Sequence, residues 1–106
     1  MTGANGPITS IGMDMRLYNT AVAGGHGDGI WAAIINGTYS TPPTSSWSAT
    51  VANGADNATL SGPAWSDGHW IADHVSGTVD GNTITGQAAG TYDSNTFTGA
   101  GTGIFE

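Results

Sequence analysis

Cysteine is absent from the 106-residue chain, which removes disulfides, thiolate metal sites and cysteine nucleophiles together. Lysine is absent as well. Arg16 is the only strong cation against eight acidic side chains, giving a formal charge of −7. A surface of that sign repels a phosphate backbone, so nucleic acid is a poor partner, and so is an anionic membrane surface. No run of about 18 apolar residues is present to span a membrane as a helix, and the first residues lack the basic-then-apolar pattern of a signal peptide. Met1 reads as the start of an excised segment of a longer parent protein. Gly, Thr, Ala, Ser and Asn fill more than half of the positions, a supply of small residues that suits tightly turned β-structure and suits helices poorly. The scarcity of Lys and Glu beside so much Thr, Asn and Gly points to a secreted or cell-surface bacterial setting.

What is present is a rhythm. Turn chemistry recurs at Asp28-Gly29, Thr41-Pro42-Pro43, Asn53-Gly54, Asp67-Gly68, Asp80-Gly81 and Asp93-Ser94, and successive turns are 12 to 14 residues apart. Asn-Gly and Asp-Gly tolerate the positive φ angles of two-residue hairpin turns. The spacing predicts strands over 8–19, 29–40, 45–53, 57–66, 69–79, 82–92 and 95–105. Residues 1–7 read as a disordered or non-native leader, and 8–106 as one domain.

Alternation supports the strands, because successive side chains point to opposite faces. Ile11, Met13, Met15 and Leu17 share one face, as do Trp31, Ala33, Ile35, Gly37 and Tyr39. Ile84, Gly86, Ala88, Gly90 and Tyr92 oppose Thr83, Thr85, Gln87 and Thr91. Phe97, Gly99, Gly101, Gly103 and Phe105 oppose Thr96, Thr98, Ala100 and Thr102. Bulky residues at strand ends and glycines in strand middles fit strands bent around a narrow interior. The expected fold is all-β, a single small antiparallel up-and-down meander barrel of seven or eight strands, since closure removes the exposed edges of an open sheet. Met13, Met15, Trp31, Ile35, Phe97 and Phe105 are the expected plug.

The tail Ser76-Gly77-Thr78-Val79-Asp80-Gly81-Asn82-Thr83-Ile84-Thr85-Gly86, followed by Gly90-Thr91-Tyr92 and Phe97-Thr98-Gly99, resembles the Gly/Thr-rich β-hairpin repeats of bacterial surface barrels. The similar families are the transferrin-binding-protein-like lipoprotein barrels and the repeats of secreted FecR-domain proteins. The resemblance covers about the last 30 residues, implies a meander barrel outside the cell, and carries over no binding residue.

Two groups carry candidate chemistry. The glycine-rich connection at 20–29 holds His26 and Asp28, and the alternation of turns places it at the same barrel end as Asp56 and Asp80. These four are the expected ligands of a divalent cation, with His26 the pH-sensitive member. At the opposite end Trp65 and Trp70 flank the Asp67-Gly68 hairpin. With Asp67 and His69 they form the candidate ligand-binding group, two indoles for stacking on sugar if exposed beside polar partners for hydroxyls, although a barrel built mainly from Gly and Ala also calls for such bulky residues in its core. Parity sets His69 and His74, five apart, on opposite faces of a regular strand. Asp73 shares parity with Ile71 and Val75, so it is either a buried acid or one turned outward by a bulge. The Thr83, Thr85, Thr91, Thr96, Thr98 and Thr102 rows suit a solvated face of β-branched residues better than an ice-binding array.

These features favour a non-enzymatic extracellular module with no cofactor and no catalytic residues, either a structural or adhesive repeat unit or a small binder. Carbohydrate or another surface protein is the expected partner. The alternative is a barrel that binds carbohydrate or a small apolar molecule, and an Asp/His metal-dependent hydrolase stands third.

Overall fold

The computed structural model describes residues 1–19 and 29–106. In chain order the strands are β1 (Thr2–Asn5), β2 (Ile8–Asn19), β3 (Gly29–Tyr39), β4 (Trp47–Asn53), β5 (Asp56–Gly62), β6 (His69–Val79), β7 (Asn82–Asp93) and β8 (Thr96–Phe105). Every strand expected from the turns is present. The eighth comes from the N-terminal stretch that had been expected to lie outside the domain: Thr2 and Gly3 pair with Gly12 and Ile11 of β2 on one side and with Ala52 and Val51 of β4 on the other. That strand has no apolar alternation to announce it, because it closes the sheet by backbone pairing.

All neighbours are antiparallel, in the closed order β1-β2-β3-β8-β7-β6-β5-β4. Two meanders, β1 to β3 and β4 to β8, therefore lie side by side, and the connection 40–46 crosses beneath one end to join them. The alternation of ends inferred from the turns holds. The turns at 54–55 and 80–81 share one end, here called the mouth. The base collects 6–7, 40–46, 63–68 and the Ser94-Asn95 turn, whose two residues carry φ of 52 and 70.

The register fixes the bore. Walking from partner to partner, Gly29 leads to Phe105, Ile84, Gly77, Ala58, Val51, Gly3 and Ile11, and returns to β3 at Gly37, eight residues along. Eight strands with an offset of eight tilt by about 36° and leave an interior just wide enough for side chains to fill. It is filled. Trp31, Ile35, Ala49, Val51, Ala58, Leu60, Ala72 and Ile84 have no exposed surface, and among the described residues no polar or charged residue is buried. The expected plug residues Met13, Trp31, Ile35, Phe97 and Phe105 are all in this core, with Met15 packed against it.

Glycine makes room for tryptophan. A Cβ on Gly103 would lie 2.6 Å from Trp31 Nε1 and one on Gly90 would lie 2.7 Å from Trp70 Nε1. Each indole reaches across this gap to a strand backbone, Trp31 Nε1 donating to Thr85 O at 3.0 Å and Trp70 Nε1 to Thr98 O at 3.1 Å. At the base, Tyr39, Trp47, Trp65, Trp70, Tyr92 and Phe97 pack edge-on and tilted, with neighbouring ring centroids 5.2–6.2 Å apart. β5, expected to run to residue 66, ends at Gly62. The chain then turns inward so that Trp65 stoppers the base, its backbone N–H held by Pro43 O at 2.9 Å.

Candidate functional site

The mouth brings together two of the four expected cation ligands. Asp56 Oδ1 accepts a hydrogen bond from the Asp80 backbone N–H at 3.0 Å, so this carboxylate fastens the β4–β5 turn to the β6–β7 turn. Asp80 sits at φ 52 ahead of Gly81 at φ 78, the positive-φ pair of a two-residue hairpin turn. His26 and Asp28 lie outside the described residues. Among the described residues no three His, Asp or Glu side chains stand together closely enough to share a metal ion. Beside the Asp56–Asp80 pair, an open pocket of ≈ 410 Å³ runs to the β2 edge, where it is lined by Met13, Asp14 and Met15.

At the base, the expected stacking platform is not on the surface. Trp65 and Trp70 are 5% and 1% exposed, and both rings face the lumen within the aromatic cluster. Burial wins here because the interior of a Gly- and Ala-walled barrel has little else of that size to fill it. Asp67 and His69 do stay outside. Asp67 adopts φ 54 in the turn, and His69 Nδ1 lies 2.9 Å from the Asp67 carbonyl oxygen, donating to it in the Nδ1–H tautomer. The Asp67–His69 contact shapes a hairpin, with no indole beside it to stack a sugar ring.

A β-bulge resolves the parity of β6. Ala72 pairs with Ala88 and Val75 with Gly86, so Asp73 and His74 together oppose Gln87 and both turn outward. Upstream of the bulge Ile71 is outward and half exposed; downstream Val75 is inward and 2% exposed. Asp73 is therefore a solvated acid. His69 and His74 share the outer face, contrary to the regular-strand expectation. His74 Nδ1 stands 3.2 Å from Asp73 Oδ1, an exposed neighbour pair with no third group to orient it.

The outer wall carries a feature absent from the candidate residues. Ile34, Ala100, Ala89 and Ile71 pair in succession across β3, β8, β7 and β6, an apolar row with Ile34 64% and Ile71 50% exposed. Towards the mouth Tyr18, Ile30 and Ile104 form a shorter parallel row on β2, β3 and β8, all exposed. Between Ile71 and Thr102 the small Ala89 and Ala100 leave a shallow groove of ≈ 510 Å³, with Asp73 and Gln87 at its rim. The legible signal was outward parity: an isoleucine on the same side as threonine in a strand whose other face is already committed to the core.

The chain matches no family model, no curated protein and no solved structure.

Proposed function

We propose that this barrel is a non-enzymatic module of an extracellular bacterial protein, an adhesive or structural unit that works through its outer wall. The observation that carries the reading is the apolar row Ile34–Ala100–Ala89–Ile71. Side chains of that size and exposure on a soluble surface mark contact sites for other molecules. A lumen packed with indole and phenyl rings leaves the outer wall as the working surface, because an internal ligand would have to displace core residues. The composition, poor in Lys and Glu, and the resemblance of residues 76–99 to surface-barrel hairpins support the extracellular setting.

A second reading draws on the groove over Ala89 and Ala100: a site for a small apolar molecule or the apolar face of a sugar, with Asp73 and Gln87 as hydroxyl partners. The hydrolase reading has only the exposed His74–Asp73 pair behind it.

Microspheres coated with the wild-type chain and with the double variant Ile34→Lys/Ile71→Lys test both. Retention of wild-type beads on apolar or protein-coated slides, lost in the variant, supports the adhesive module. Retention confined to glycan-coated slides moves the assignment to the groove. Equal retention of both proteins on every surface overturns the outer-wall reading.

A further inference from the structure

We infer that Asn53 is a site of spontaneous covalent modification: its side-chain amide is lost to the backbone nitrogen that follows it, and the product carries a carboxylate that loosens the mouth of the barrel. The inference is independent of the outer-wall reading, and the test of one leaves the other standing.

The sequence holds three Asn-Gly pairs, at 5–6, 36–37 and 53–54. Glycine offers its amide nitrogen with no side chain in the way, so each pair is a chemical candidate for ring closure onto the asparagine Cγ. The fold separates them. Asn36 and Gly37 lie inside β3, where Gly37 is matched with Ile11 of β2 on one side and Phe97 of β8 on the other, so their backbone is held in the ladder. The Asn5 side chain is held as well, its Nδ2 donating to Ser48 O at 2.7 Å. Asn53 and Gly54 are instead exposed at the tip of the β4–β5 hairpin. The ladder ends there at the Asn53↔Asp56 pair, Gly54 takes a φ of 63, and a Cβ on it would meet no described atom within 4 Å. Opening that one terminal pair frees the Asn53–Gly54 unit, and hairpin tips open at far lower cost than strand centres.

The reaction exchanges one nitrogen for another. The Gly54 backbone nitrogen attacks Asn53 Cγ, the new C–N bond closes a cyclic imide, and the Cγ–Nδ2 bond breaks, Nδ2 leaving as ammonia with the proton that Gly54 gave up. Water then opens the ring. Cleavage beside Cγ leaves aspartate, and cleavage beside the backbone carbonyl leaves isoaspartate, whose Cβ has entered the main chain; nothing is oxidised or reduced. Both products put a carboxylate across the hairpin from Asp56, where like charges repel. Isoaspartate also lengthens one arm of the turn by a carbon and breaks the register of the Asn53↔Asp56 pair. Asp56 is the residue whose Oδ1 accepts the Asp80 N–H at 3.0 Å, so the clamp between the β4–β5 and β6–β7 turns is lost with that pair. The modification is a slow, irreversible loosening of the mouth that adds negative charge to a chain already at −7.

The full chain is aged in heavy-oxygen water at mildly alkaline pH and mapped by peptide mass, and fresh and aged protein are compared by amide hydrogen exchange. The oxygen label should enter at Asn53 well before Asn5 and Asn36, as a mixture of aspartate and isoaspartate, and the Asp80 amide should lose its protection in the aged fraction. Asn53→Gln keeps an amide but sets it one carbon further from the Gly54 nitrogen, which disfavours closure. Its peptide should stay unlabelled over the same interval, and its Asp80 amide should age unchanged. If that variant fails to fold, the mapping of the wild-type chain decides. The proposal is overturned by label absent from Asn53 or entering Asn5 or Asn36 as fast, by label at Asn53 with the Asp80 amide as protected as in fresh protein, or by equal loss of that protection in the aged Asn53→Gln chain.

Discussion

Trp31 and Gly103 are a matched cross-strand pair of β3 and β8: a Cβ on Gly103 would stand 2.6 Å from the indole Nε1 that donates to Thr85 O. Tryptophan supplies the volume and glycine the vacancy, on neighbouring strands whose register sets Trp31 against Gly103. The same exchange is made at Gly99, where a Cβ would lie 2.5 Å from Trp70 Cζ2. At Gly101 the nearest ring atom, Trp31 Cζ3, is 3.1 Å away.

That gradient orders three substitutions. Gly103→Ala and Gly99→Ala should each destabilise by about 3 kcal/mol or more, the upper end for overpacking a tight core, because the added Cβ meets the Thr85 and Ala89 backbone oxygens as well as an indole. Gly101→Ala should lose less than half as much, its neighbours needing to yield only slightly. Thermal melts of the three variants check the order, and equal losses at 101 and 103 would show that the close approach at Gly103 relaxes at no cost.

The four indoles divide by what their N–H groups find. Trp70 donates to Thr98 O, whereas the buried Nε1 atoms of Trp47 and Trp65 have no partner among the described residues. Replacing tryptophan by phenylalanine removes similar volume at 47 and 70, but only at 70 does it delete a hydrogen bond. Trp70→Phe is expected to be the more destabilising by about 1 kcal/mol or more. Urea unfolding of both variants measures the difference, and a larger loss at 47 would contradict it.

The bulge in β6 makes deletion informative. Removing His74 leaves one residue, Asp73, opposite Gln87, restores the regular ladder and keeps Ala72 and Val75 inward. Removing Ser76 instead would turn the strand beyond it inside out, since a one-residue slip exchanges the faces. The His74 deletion should fold with a cooperative melt, and the Ser76 deletion should not. Near-ultraviolet circular dichroism, dominated by the packed indoles, distinguishes the two outcomes.

Ser94 sits at φ 52 as the first residue of a two-residue turn, a conformation that strains a residue with a Cβ. Ser94→Gly should raise stability by up to about 1 kcal/mol, and Ser94→Val should lower it by a similar amount or more. A melting temperature ordered Val above Ser above Gly would show that the turn relaxes out of this conformation.

Seven of the eight strands were legible because turn residues and period-two alternation are local: Asp67-Gly68 and Asp80-Gly81 reverse the chain wherever they occur, and Trp31, Ala33 and Ile35 must share a face. β1 was not legible, since Thr2 and Gly3 are held by backbone pairs to Gly12 and Val51 that leave no mark in side-chain pattern. The candidate sites divide the same way. That Asp56 and Asp80 meet at the mouth followed from counting turns, and the Asp80 amide donates to the Asp56 carboxylate at 3.0 Å.

Sequence alone therefore determined the all-β class, the strand boundaries to within a few residues, the inward faces of most strands and the end of the barrel to which each turn belongs. Tertiary structure decided the rest. It placed β3 beside β8 in preference to β4, buried Trp65 and Trp70 that parity and turn position had left accessible, and turned Asp73 and His74 outward by a single inserted residue. The physical reason is that closure is a global condition: which strands meet, how far the register shifts around the ring and how much volume the lumen must fill are set by all eight strands together, and no local run of residues contains them.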